Sequence, residues 1–281
     1  MENRFNLIDE PWIPVADHGR IGLKDLFTHP EYRALGGNPV QKVAILKLLQ
    51  AIAQAATTPA SLAEWQELGW QGMADRVCSY LSIWHDRFYL YGARPFLQMP
   101  AIASAAIKSF GTVLPDVATG NTTVLTQSQA EKPLDDGEKA LLLSTQMGFA
   151  LGEKKTDNSV VLTPDYRGKS NDKGKPSTGR PGPSVAYMGL LHNYCLGASL
   201  LESVWLNLFT RDEIVDLDMY PYGLGTPPWE QMPEGEHCDV AKQLKGSLIG
   251  RLVPLCRFCL LAGDGLHYSE GVAHPGYKEG V

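Results

Sequence analysis

Asn6-Leu7-Ile8-Asp9-Glu10-Pro11-Trp12-Ile13-Pro14-Val15 sets two short apolar runs on either side of Asp9-Glu10-Pro11. Pro11 fixes φ and Asp9 favours a turn, so the stretch reads as a short strand pair or hairpin. Working outward, Ile21 to Phe27 reads as a strand passing into a short helix. The clearest helix begins at Asn38-Pro39, an N-cap followed by a proline suited to the first helical position. Val43, Leu46, Leu49, Ile52 and Ala53 then recur at helical spacing. Pro59 ends that run and opens another through Trp65, and a third helix is expected from Met73 to His85. Arg87 to Tyr91 is aromatic and alternates weakly, which predicts a strand, and Pro95 and Pro100 bracket an extended segment. A long helix is expected from about Cys195 to Phe209, a rigid turn over Tyr222–Trp229, and a hairpin at Gly263-Asp264-Gly265. The mixture predicts an α+β fold of several helices, short strands and long loops, as a single domain over 1–281. The end at Lys278-Glu279-Gly280-Val281 lacks a closing element and reads as truncation.

The chain has 281 residues, 44% hydrophobic and 20% charged, which excludes a disordered polymer. The N-terminus carries no apolar signal core and no window is long and apolar enough to cross a membrane. Five sparse cysteines read as reduced thiols, hence a cytoplasmic setting. A net charge of −6 excludes a uniformly basic coat for nucleic acid, though not a local basic patch.

Such a patch occurs. Residues 166–182 hold Arg167, Lys169, Lys173, Lys175 and Arg180 against Asp172, interleaved with Gly168, Gly174, Gly179 and Gly182. This composition reads as a flexible basic loop. Lysine and arginine suit phosphate contacts, and glycine lets backbone N–H groups come close to a groove. A solvated loop with no ligand is the alternative. Residues 111–137 read as a second long loop.

Catalytic signals are weak. Cys256-Arg-Phe-Cys259 with His267 and His274 matches no common zinc spacing, and lies in an apolar run. Buried thiols, zinc and redox use stay open there. Gly223-Leu-Gly225 lacks the strand, third glycine and helix of a dinucleotide site, so a tight turn is expected. His85-Asp86 and His237-Cys238 are adjacent in sequence only. Asp135-Asp136 and Asp216-Leu-Asp218 read as a solvated face or helix cap. No catalytic residue, metal site or cofactor is expected.

Three stretches together resemble one family. The opening Asn6–Val15, the aromatic segment Phe88-Tyr-Leu-Tyr-Gly-Ala-Arg-Pro-Phe-Leu-Gln98 and Gly223-Leu-Gly-Thr-Pro-Pro-Trp-Glu230 resemble, in this order, the large CasA subunit of the type I-E CRISPR surveillance complex, Cascade. The likeness spans essentially the whole chain but only the N-terminal part of a family member, without its C-terminal helical bundle. It implies a non-catalytic subunit that binds target double-stranded DNA. Such a subunit recognises the protospacer-adjacent motif, helps start unwinding and recruits the helicase-nuclease in antiviral defence. The implied partners are the other Cascade subunits with guide RNA, the target duplex and that nuclease. The resemblance further implies that the segment with Asn121, Val124, Thr126 and Gln127 contacts other subunits near the RNA 5′ end. Val124 and Thr126 stand where other members often carry an aromatic residue and an Asn, which argues against stacking there. It implies too that Lys169 to Gly182 inspects the minor groove, with Lys169, Lys173, Gly174, Lys175 and Arg180 at the DNA. The alternative is a scaffold subunit that never touches DNA. A zinc or thiol enzyme resting on Cys256 and Cys259 is the third class.

Overall fold

The computed structural model describes residues 2–113, 133–148, 194–272 and 274. Asn121, Val124, Thr126, Gln127, Lys169, Lys173, Gly174, Lys175 and Arg180 lie outside the described residues.

The opening stretch forms strands but not the expected hairpin. β1 (Arg4–Asn6) pairs antiparallel with β4 (Tyr89–Tyr91), and β2 (Ile13–Val15) pairs with β3 (Gly19–Ile21). Asn6 explains the divergence. Its side-chain Oδ1 accepts the Ile8 N–H, and its carbonyl accepts from both Asp9 and Glu10. The chain therefore turns away from β1 before β2 begins. Trp12, with no exposed surface, sits in the elbow and donates its Nε1–H to the Leu7 carbonyl at 2.9 Å. The indole is thereby buried with its one polar group satisfied. A short helix, α1 (Leu23–Thr28), follows as expected.

α2 (Pro39–Ala56) is the central element. Asn38 and Gln41 form a reciprocal capping box with Pro39 at the start. Its apolar residues Ile45, Leu48, Leu49 and Ile52 are buried, and the helix packs against α3 (Leu62–Ile83), α4 (Asp136–Gly148), α5 (Leu200–Leu206) and α8 (Leu248–Leu252). The two helices expected on either side of Trp70 run as one, interrupted by Gly69 at φ 57° and ψ 176°. Only glycine adopts that conformation cheaply. The helix expected over 195–209 is far shorter. Ser199 caps its start and the Asn207 side chain bonds back to the Ser203 carbonyl at its end. α6 (Arg211–Asp216) and α7 (Asp239–Lys245) complete the helical layer.

β6 (Arg257–Ala262) and β7 (Gly265–Glu270) form the expected hairpin, turning at Gly263 with φ 57°. β5 (Ile107–Ser109) pairs with the other edge of β7, giving the order β5-β7-β6. The fold is thus α+β: a helical layer with three small antiparallel sheets among the described residues. One cluster of buried apolar residues runs from Leu7 to Val272 and joins helices and sheets.

Candidate functional site

Asp135-Asp136-Gly137-Glu138 begins α4, and its side chains work as a cap, as expected. The Glu138 N–H donates to Asp135 Oδ1, and the Asp135 N–H donates to Glu138 Oε2. What the sequence does not show is the pair of arginines clamping this end. Arg20 makes a two-pronged contact with Asp135 at 2.6 and 2.7 Å, while Arg4 pairs with Asp136 and lies over the Tyr91 ring. Tyr91 also donates to Asp136 at 2.7 Å. The hydrogen bond from Arg20 is the main reason the Asp135 carboxyl is held down at about 2. Gly137 is required here, since a Cβ would come within 2.7 Å of the Pro11 carbonyl and 2.8 Å of the Arg20 guanidinium.

The far end of α4 is buried. Gln146, with no exposed surface, donates to the Val113 carbonyl at 2.9 Å and accepts from the Tyr268 hydroxyl at 3.4 Å. The Met147 carbonyl accepts from the Cys256 N–H. Segment 114–132, with Asn121 to Gln127, therefore departs beside the C-terminal end of α4 and rejoins at its N-terminal end. At 1.5 Å per residue these points are about 15–20 Å apart. Segment 149–193, with the basic residues Lys169 to Arg180, departs from Gly148 at the same C-terminal end. The structure thus brings one flank of each segment together, Val113 and Gly148, at the C-terminal end of α4. The second segment rejoins at Tyr194-Cys195, where the Cys195 N–H and C=O both bond to the Asn207 side chain at 3.0 and 2.8 Å.

The three stretches that carry the family resemblance converge elsewhere. Leu7 donates to the Phe88 carbonyl at 2.9 Å, tying the opening stretch to the aromatic one. Asn6 donates to the His85 carbonyl at 3.0 Å, and His85 Nε2 donates to Asp9 at 2.8 Å. Phe88 and Phe96 stack with ring centroids 4.8 Å apart, and Trp229 lies 5.8 and 6.0 Å from them. Gln98 is buried and locks the turn between them: its Nε2 donates to the Leu90 carbonyl and its Oε1 accepts from Leu261. The segment is not extended as expected, since Leu97 turns through φ 53°. Gly223 and Gly225 both have positive φ, and the carbonyls of Gly223 and Leu224 accept from Leu248 and Ile249. This is the tight turn expected, packed on the start of α8.

Cys256 and Cys259 are buried thiols, and burial pushes both up to about 12, far from the reactive thiolate. His267 Nδ1 donates to the Ala105 carbonyl at 2.7 Å, and His274 Nε2 donates to that of Pro254 at 2.8 Å. Among the described residues no three His, Cys, Asp or Glu side chains come together as a metal-binding group. No helix among them is long and apolar enough to cross a membrane. The sequence reading also missed Lys47. It lies almost wholly buried on α2, donates weakly to the Arg251 carbonyl at 3.4 Å, and is lowered to about 8, mainly by desolvation. One lysine in an otherwise good helical pattern gave no signal of its burial.

The described residues form a helix-rich α+β fold with small antiparallel sheets, built around α2. A similar fold is found in the crystal structure of Thermobifida fusca Cse1, at a TM-score of 0.72 and 26% identity, covering 96% of this chain and 52% of that one. It recurs in Thermus thermophilus CasA (Cse1) at 0.67 and 22% identity, covering 99% and 55%. A chain from a structure described as a CRISPR RNA-guided surveillance complex matches at 0.66 and 15% identity, which speaks for the fold alone. In sequence, the Thermus thermophilus CRISPR-associated protein CasA/Cse1 is 31% identical over 162 residues, 53% of this chain and 32% of that protein. The family pattern described as CRISPR-associated protein Cse1 matches residues 6–280. The chain belongs to the CRISPR-associated protein Cse1 family. It spans about half the length of the solved structures it matches.

Proposed function

We propose that this chain is a non-catalytic subunit of an RNA-guided CRISPR surveillance complex. It binds target double-stranded DNA beside the protospacer-adjacent motif, helps start unwinding and recruits the helicase-nuclease. The observation that carries the reading is family membership over residues 6–280. Capture of the duplex falls to the basic segment, where Lys169, Lys173, Lys175 and Arg180 neutralise phosphate and Gly174 allows close approach to the minor groove. The segment with Asn121, Val124, Thr126 and Gln127 faces the partner subunits and the end of the guide RNA. Target sequence is then read by base pairing with the guide, and the protein reads only the short adjacent motif and the shape of the duplex. The proximity of Val113, where segment 114–132 begins, to the end of α4 from which segment 149–193 continues supports the reading, because it would couple subunit contact to DNA contact through one rigid element.

The test is the double variant Lys173→Ala/Lys175→Ala in the assembled complex. Binding should weaken about equally for every target sequence, and the slope of log affinity on log salt should fall by about 2. Unchanged affinity and slope would remove this segment from duplex capture. A pure scaffold that never touches DNA is the second reading, favoured by the net charge of −6. Under it, charge reversal at Lys173 and Lys175 leaves complex assembly and DNA binding alike untouched.

A further inference from the structure

A cleft of about 110 Å³ opens where the Arg87–Pro100 stretch meets Pro228-Trp229 and Met232. Three prolines, Pro95, Pro100 and Pro228, stiffen its wall, and the buried Gln98 pins the backbone behind it. Leu97, one of the lining residues, is held at φ 53°, a conformation that a bulky non-glycine residue adopts only under constraint from its surroundings. The cleft is therefore preformed, and a ligand does not have to order it.

Two guanidiniums line it. Arg94 is exposed, and Arg87 is half-buried against the Trp84 ring. Neither has a carboxylate within ion-pair distance among the described residues. Arg4, Arg20 and Arg257 by contrast are each paired to an acid. Two arginines without an acidic partner among the described residues thus stand beside one apolar hollow.

We infer that the cleft walled by Arg87, Arg94, Phe96, Pro100, Trp229 and Met232 docks an acidic peptide segment of a partner protein. The segment places one aliphatic side chain in the hollow and a neighbouring carboxylate on the guanidiniums. The volume suits a single side chain of leucine size. A guanidinium presents a planar fork that matches a carboxylate with two parallel hydrogen bonds. Met232 lets one wall adjust to the shape of the guest. Single-stranded nucleic acid fits less well, because bases need open ring faces to stack on. Phe96 and Trp229 are 2% and 4% exposed and use their faces on Phe88 and on each other.

The experiment uses the full chain and a fluorescein-labelled peptide, Ser-Asp-Asp-Leu-Asp-Glu-Ser, followed by fluorescence anisotropy. Saturable binding is expected, weakened about tenfold when the peptide leucine becomes serine. Arg87→Glu/Arg94→Glu should weaken it by at least about tenfold. So should Met232→Glu, which places a repelling charge in the wall while leaving both arginines intact. Arg94→Glu alone, at an exposed position that folding does not use, should still lose several-fold and guards against a misfolded double variant. No saturable binding, or equal affinity in all these variants, would overturn the assignment. So would tighter binding of a single-stranded oligouridylate that the same variants abolish.

Discussion

The indole Nε1 of Trp229 donates to the Tyr80 hydroxyl at 2.7 Å, and that hydroxyl donates in turn to Glu230. This chain fastens the turn 223–230 to α3 and closes the aromatic cluster of Phe88 and Phe96. Burial and the bond to Glu230 push the Tyr80 phenol far up, so it remains a donor at every physiological pH. Tyr80→Phe removes the middle of the chain and leaves Trp229 without an acceptor. It should cost about 1–2 kcal/mol, and Trp229→Ala about 3–5 kcal/mol, measured by urea denaturation. A cost below about 0.5 kcal/mol for both would mean the cluster does not hold the turn.

Lys47 should be a stability defect. Its folded value is lowered below the unfolded one, so its contribution improves as pH rises towards 10.5 and worsens as pH falls through about 8. Lys47→Met keeps the shape of the side chain and removes the buried charge. The variant should be more stable by about 1–2 kcal/mol at pH 7, with the gain shrinking above pH 8. Thermal melts at pH 7 and pH 9.5 check this, and a destabilised variant at pH 7 would assign the ammonium a favourable partner.

The Arg20–Asp135 contact is half-exposed, so its strength is modest. A double-mutant cycle with Arg20→Ala and Asp135→Asn should return about 0.5 kcal/mol of coupling at low salt and less at 0.5 M. The carboxyl is depressed to about 2 from its ordinary 3.8, so this stabilisation is complete above pH 4 and drains away as pH falls from there towards 2. Coupling that persists unchanged at pH 2 would contradict the ion-pair account.

Gly250 is fixed by packing rather than by backbone freedom. A Cβ there would lie 1.7 Å from the Leu244 carbonyl, on the α7–α8 corner. Gly250→Ala should destabilise by about 3 kcal/mol or more, because backbone has to move. A neutral effect in denaturant titration would show that the corner yields easily.

Local chemistry made much of the fold legible. Asn38-Pro39 announced the cap of α2 and Gly263-Asp264-Gly265 the β6–β7 turn, because each signal acts over a few residues; α4 was not foreseen, since 111–137 reads as one long loop and Asp135-Asp136 as either a solvated face or a cap. The failures lie where distant chain decides. Asn6–Asp9 reads as the partner of Trp12–Val15, yet the strand formed is Arg4–Asn6 and it pairs with Tyr89–Tyr91, a choice made by the burial of Leu7, Trp12 and Phe88 together. The helix expected over 195–209 shrinks to Leu200–Leu206 because Asn207 turns back to the carbonyl of Cys195. Of the site, residue types and charge picked out the two segments around Asn121–Gln127 and Lys169–Arg180. That the first begins beside the end of α4 from which the second continues was invisible, because it depends on Gln146 meeting Val113 across more than thirty residues of sequence.

The most direct measurement adds this chain to the remaining RNA-loaded subunits and follows target-duplex binding across a salt series. Restored binding that depends on the adjacent motif, with a steep salt slope removed by Lys173→Ala/Lys175→Ala, is the result this account predicts. A chain that joins the complex while duplex affinity and salt dependence stay as they were without it would contradict the account.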